Sequence, residues 1–189
     1  MPMRLFLAIT LPEAMQSAIA REVAPARAAA PAVRWVRPEL MHLTVKFLGE
    51  RPEEDEARVA RATRAALAPL PPFEVTVGGT GAFPNFRRPR VVWLGMHPPT
   101  PLAGLARRLD AALAPLGVTP ETRPFRAHVT LGRVADGVPR QQVAALERAL
   151  RAVRATWPLA IREVALMRST LGAGGPHHDR LHHFALEGS

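Results

Sequence analysis

The sequence predicts an α+β fold: a single bilobal domain over residues 1–189, with helices on the outside of two antiparallel sheets. Three observations lead there. Strand-like runs alternate with amphipathic helical runs, but never in a regular β-α-β march. Near the C-terminus the short connections "ATWP" and "LGAGGPHHD" join strand-like runs directly, which favours antiparallel pairing. The pattern R-P-x-x-x-H-x-T occurs twice, at 37–44 and 123–130, which suggests similar halves, 1–95 and 96–189, related by a pseudo-twofold axis around a central cleft.

Each element has its own signal. "RLFLAI" (4–9) reads as a strand, and a helix follows from Pro12 to about Val23, proline being tolerated in a first helical turn. "VRWV" (33–36) is short and extended, and "HLTVKFL" (42–48) alternates cleanly. Over 52–70 acidic residues crowd the first turn and arginines follow, a strong helix signal. "FEVTVGGTGAF" (73–83) is a strand whose glycines suggest a bulge, "NFRRPR" (85–90) is a basic loop, and 90–96 is a strand. A helix over 101–117 ends at Gly117; 128–134 is a strand; 139–153 is a helix starting at Pro139; 158–170 and 180–187 close the chain as strands.

Composition excludes several chemistries. There is no cysteine, hence no disulfide, thiolate zinc site or cysteine nucleophile. The formal charge is +9, and Lys46 is the only lysine, so the basic surface is almost all arginine. The guanidinium fork grips two phosphate oxygens at once, and a basic balance speeds encounter with nucleic acid. The same bias also follows from a high-GC coding sequence, so charge alone names no partner. The N-terminal apolar run is too short for a signal peptide and is interrupted by Pro12 and Glu13. No stretch has the length of a membrane span, and a cytoplasmic location is expected.

The repeated motif carries the chemistry. On a strand, residues two apart share a face. His42 and Thr44 then lie together with Lys46 and Leu48, while Leu43, Val45 and Phe47 point to the core. His128 and Thr130 repeat the arrangement, with Val129 and Leu131 opposite. In a chain with seven histidines, fewer than one H-x-T triplet is expected by chance, and the shared upstream R-P sharpens the signal. If the halves face each other, two imidazoles and two hydroxyls meet across a cleft. One imidazole then serves as base and the other as acid, and the hydroxyls donate to oxygens that gain charge in the transition state. A phosphodiester suits that constellation, and it needs no metal.

These motifs, "HLTV" (42–45) and "HVTL" (128–131), resemble those of the 2H phosphoesterase superfamily, and more narrowly the RNA 2′,3′-cyclic phosphodiesterases long called 2′-5′ RNA ligases. The resemblance runs almost end to end, through "RLFLAI", "HLTVKFLGE", "RVVWLGM", "RPFRAHVTLGR" and the turn "GGP". It implies a bilobal fold with a central cleft. It also implies metal-independent hydrolysis of an RNA 2′,3′-cyclic phosphate to a 2′-phosphate end without a cofactor, and 2′-5′ joining of RNA ends in vitro. Its catalytic set falls on His42, Thr44, His128 and Thr130, with His128 as base and His42 as acid in one assignment, the near symmetry leaving the roles exchangeable. The resemblance also sets an arginine on the phosphate at Arg133. Strict alternation turns that side chain away from His128 unless Gly132 permits a bulge.

Further candidates for substrate binding are Phe125, as a base-stacking ring, and Lys46 and Arg126, as phosphate contacts. The loop 85–90 combines aromatic and basic residues in a way that also suits RNA. Trp35 and Trp93 are expected in the core. His178 and His182 are four apart, a zinc spacing on a helix, but their surroundings read as a strand and no metal site is expected; the tail histidines instead suit the substrate entrance. The chain is expected to act as a monomer on RNA ends or cyclic nucleotides. Two alternatives remain: an RNA-binding module with little catalysis, and a 2H enzyme acting on a small cyclic nucleotide phosphate such as ADP-ribose 1″,2″-cyclic phosphate.

Overall fold

The computed structural model describes residues 2–173 and 175–188; of the expected "GGP" turn, Gly174 lies outside the described residues. The chain is α+β. Its elements are β1 (Met3–Thr10), α1 (Glu13–Glu22), α2 (Ala24–Ala29), β2 (Arg34–Trp35), β3 (His42–Arg51), α3 (Glu56–Leu67), β4 (Phe73–Phe83), β5 (Val91–His97), α4 (Pro99–Leu113), β6 (His128–Arg133), α5 (Arg140–Ala152), β7 (Trp157–Ile161), β8 (Glu163–Gly172) and β9 (Gly175–Ala185).

Most boundaries follow the sequence signals, and the exceptions have local causes. α3 begins at Glu56 rather than at 52, after a 3-10 turn over Glu53–Asp55. The Asp55 carboxylate does not cap the helix; it accepts from Arg51 at 2.6 Å and Arg58 at 3.1 Å. The strand expected over 158–170 breaks at Arg162 into β7 and β8, and "ATWP" leads from α5 into β7 rather than joining strands. β9 reaches back to Gly175, so the tail histidines sit within a strand.

The strands form one antiparallel sheet in the order β7-β4-β5-β6-β3-β1-β8-β9, with β2 beside β6. This replaces the expected two separate sheets. The two H-x-T strands, β3 and β6, meet in the middle through one residue pair, Leu43 and Val129. Three strands lie beyond each of them. Each side draws on distant parts of the chain: β4 and β5 pair toward β6 and β7, and β8 and β9 return to β1. Arg162 alone separates β7 from β8, although the two lie far apart in strand order. Only a curled sheet brings them together.

One face of the sheet packs against the helices. Leu5, Leu7, Leu43, Val129 and Leu131 join Ile19 of α1, Leu67 of α3, Leu109 of α4 and Leu146 of α5 in a single buried core. Burying each such side chain contributes about 1.5–3 kcal/mol. β1 is buried on both faces. Phe6 and Ala8 form a second cluster with Ala165 and Met167 on the opposite face, the one that carries the histidine motifs.

Two bulges decide what β3 presents. Its register against β1 shifts between Leu7 and Ala8 and between Leu5 and Phe6, which leaves Val45 and Leu48 as the extra residues. Alternation therefore fails after Thr44. Lys46 turns toward the helices and is 7% exposed, whereas Phe47 turns outward and is 62% exposed. A third bulge, at Gly79 of β4 with φ 70°, bears out the glycine irregularity expected there.

Candidate active site

The four motif residues share the face opposite the helices, because Leu43 and Val129 between them are fully buried in the core. Antiparallel pairing at Leu43 and Val129 sets His42 toward Thr130 and Thr44 toward His128, one step to either side. The two histidines thus come from strands that touch at the middle of the sheet.

Both rings are held in the same way. His42 Nδ1–H donates to the Leu40 carbonyl at 2.7 Å, and His128 Nδ1–H donates to the Arg126 carbonyl at 2.6 Å. Each acceptor lies two residues upstream, where the chain enters the strand. This fixes the tautomer and leaves Nε2 of each ring as the working nitrogen. His42 Nε2 accepts from the Thr44 hydroxyl at 3.0 Å.

Both imidazoles are held neutral. Burial lowers the pKa of His42 from 6.5 to about 4; the bond to Leu40 opposes this, and the nearby His178 and His128 reinforce it. Burial also lowers that of His128, opposed by the Arg126 carbonyl and reinforced by the Arg133 cation.

Arg133 is brought to this site by the bulge that Gly132 suggested. β6 shifts register against β5 between Val92 and Trp93, leaving Leu131 extra. Thr130 pairs with Trp93 and Arg133 with Val91, so Arg133 returns to the face of Thr130. Arg126 is exposed, and its guanidinium lies 5.8 Å from the Phe83 ring centre.

Two expected contacts are engaged elsewhere in the chain. Lys46 is withdrawn by the Val45 bulge: its ammonium pairs with Asp110 of α4 and donates to the Thr119 carbonyl at 2.7 Å. Phe125 packs half-buried against the core. In the loop 85–90, Phe86 packs on the core under Arg151, while Arg87 and Arg88 remain exposed. His178 and His182 do not converge on a metal, since they face opposite sides of β9. His178 meets Phe6 and His42, and His182 bonds Glu56 of α3 at 2.9 Å.

The sequence did not single out the aromatic walls. Beside His128 stand Phe83, whose ring lies T-shaped at 4.9 Å, and Trp93 at 6.3 Å. Trp93 is half-buried rather than core; it lies flat over Gly81, where a Cβ would approach its ring to 2.2 Å. Beside His42 stand Phe6 at 5.1 Å and His178 at 5.3 Å. The F-x-A and G-A-F segments carry no mark of this role, because only the fold brings them to the histidines.

The chain is similar to known proteins along almost its whole length. The model of the 2′-5′ RNA ligase superfamily matches residues 15–173. The RNA 2′,3′-cyclic phosphodiesterase of Methanothermobacter thermautotrophicus is 36% identical over 186 residues, covering 98% of this chain and 100% of that one. That of Archaeoglobus fulgidus is 32% identical and covers 96% and 99%. The crystal structure of Escherichia coli LigT complexed with 3′-AMP is similar with a TM-score of 0.76 at 32% identity, covering 98% of this chain and 99% of that one.

Proposed function

The chain belongs to the 2′-5′ RNA ligase superfamily, and from that premise we propose that it is an RNA 2′,3′-cyclic phosphodiesterase working by two-histidine acid–base catalysis. The observation that carries the reading is the matched pair of imidazoles on touching strands, each with Nδ1 tied to a backbone carbonyl, which leaves Nε2 as the nitrogen for chemistry, in His42 beside the Thr44 hydroxyl. The relatives' names supply the substrate class.

In this mechanism one neutral imidazole takes a proton from water at Nε2 as the water oxygen bonds to phosphorus, and the other, protonated at Nε2 once the anionic phosphate is bound, gives that proton to the departing 3′ oxygen. The P–O3′ bond breaks and a 2′-phosphate remains. Thr44, Thr130 and Arg133 hold the non-bridging oxygens as charge builds on them. The deeper burial of His42 supports it as the base and His128 as the acid, the other of the two exchangeable assignments that the paired histidines left open. If a 5′-hydroxyl attacks in place of water, the same steps leave a 2′-5′ linkage, which accounts for ligation. One polypeptide supplies both motifs, so a monomer suffices. An RNA end as substrate fits the cytoplasm, and among the described residues no helix is long and apolar enough to cross a membrane.

The test is turnover of an oligoribonucleotide ending in a 2′,3′-cyclic phosphate, in excess EDTA. The expected product is a 2′-phosphate end, abolished by His42→Ala and by His128→Ala with RNA retention preserved. Retention without turnover by the unaltered protein would favour the binding module. Turnover confined to small cyclic nucleotides would favour the small-molecule alternative. A bridging 3′-sulfur substrate, whose leaving group needs no proton, should rescue loss of the acid only.

A further inference from the structure

A third imidazole stands beside the motif pair. β9 reaches the site through β8 and β1, and on it His178 lies in register with Ser169 of β8, itself paired with Arg4 of β1. His178 meets Phe6 at 5.0 Å and His42 at 5.3 Å, both T-shaped, while Phe6 and His42 are 5.1 Å apart. The three rings form a closed triangle. His42 uses both of its ring nitrogens within the chain, but the His178 ring makes ring contacts and, among the described residues, no hydrogen bond. A half-buried imidazole packed on the His42 ring, with neither nitrogen bonded among the described residues, has a donor to spare.

We propose that His178 is a third imidazole of the substrate site, bracing the His42 ring with its own and donating an N–H to the phosphate held between His42 and His128. The proposal rests on the reading of the cleft as a phosphodiesterase site. The charged surroundings favour an anion. On β9, His177 and Asp179 flank His178, and Asp179 is already occupied by Arg168 of β8 at 2.8 Å and by His177 at 2.9 Å. Arg37 donates to the Pro176 carbonyl at 3.3 Å, which sets another cation beside this end of β9, with Glu39 paired to it at 3.4 Å. Further charged or titratable neighbours are His42 on β3, Arg4 on β1 and Arg180, two residues along β9, which reaches the Thr10 hydroxyl at 3.4 Å and Glu163 at 3.7 Å. Burial keeps the free imidazole below its ordinary pKa, so its gain of a proton follows anion binding rather than preceding it.

Two variants separate bracing from binding. His178→Phe keeps an aromatic ring on His42 but removes the donor; His178→Ala removes both. For His178→Phe the expected result is a KM raised roughly five- to tenfold at near-constant kcat, more strongly at pH 5.5 than at pH 7.5. His178→Ala should lower kcat as well. A His178→Phe variant with unaltered KM at both pH values would overturn the proposal. An independent readout needs no turnover: titration with inorganic phosphate should shift the His178 ring NMR resonances together with those of His42. If phosphate moves His42 and leaves His178 unmoved, the inference fails while the phosphodiesterase reading stands.

Discussion

Lys46 gives the sharpest stability prediction, because bulge geometry turned it from an expected phosphate contact into a buried tie. Its ammonium is shared between Asp110 of α4 and the Thr119 carbonyl, and its side chain is 7% exposed against 20% for Asp110. Replacing Lys46 by Met keeps most of the stem's packing but leaves Asp110 Oδ1 buried without a partner. Breaking a buried pair from one side costs about 3–5 kcal/mol, and the partial exposure of Asp110 puts this case near the lower end. At about 2–4 °C per kcal/mol for a chain of this size, the expected fall in Tm is roughly 6–12 °C. In Lys46→Met/Asp110→Leu neither charge is stranded, and most of the loss should be recovered. Urea unfolding and calorimetry measure the stability, and kcat/KM on a 2′,3′-cyclic phosphate substrate measures function. The reasoning is refuted if Lys46→Met unfolds like the unaltered protein and its KM rises several-fold, since Lys46 would then be holding substrate.

Other outcomes follow from the site. Activity as kcat/KM should be bell-shaped in pH and centred below 6.5, with the acid limb near the His42 pKa of about 4; a maximum above pH 7.5 would contradict this. His42 also links stability to acid. Its folded pKa lies below the unfolded value of 6.5, so its contribution is complete above pH 6.5 and is lost as pH falls toward about 4. The loss is at most about 3 kcal/mol, less because the ring borders solvent, and His42→Gln should flatten it in urea titrations at pH 7 and 4.5. Thr44→Val and Thr130→Val should each lower kcat by about 10²–10³ while leaving Tm within a few degrees, read by kinetics and calorimetry. Gly81→Ala should displace the Trp93 ring, shift tryptophan fluorescence and lower kcat/KM about tenfold; an unchanged spectrum would show that the ring does not lie over Gly81.

The sequence made the two motif strands legible because alternation holds from His42 to Val45 and from His128 to Leu131, and Leu43 and Val129 take the core as that pattern requires. Alternation could not foresee the Val45 bulge, which depends on pairing with β1, and that one inserted residue exchanged the sides of Lys46 and Phe47. The bulge that returns Arg133 falls at Leu131, next to the Gly132 that suggested one in the sequence. The junction of the two motif strands was hidden, since one pair, Leu43 with Val129, joins what the sequence suggested were separate sheets. Phe83 and Trp93 were hidden for a related reason, and of His178 only a general place at the substrate entrance was legible: each reaches a histidine across strands, and no local spacing records such a contact.

The most direct measurement is a crystal structure with a nucleoside 2′,3′-cyclic vanadate, which mimics phosphorus at the point of displacement. The account predicts one vanadium centre with Nε2 of His42 and Nε2 of His128 at hydrogen-bond distance from its two opposite apical oxygens. A vanadate bound to one imidazole, with the other turned to solvent or to the core, would contradict it.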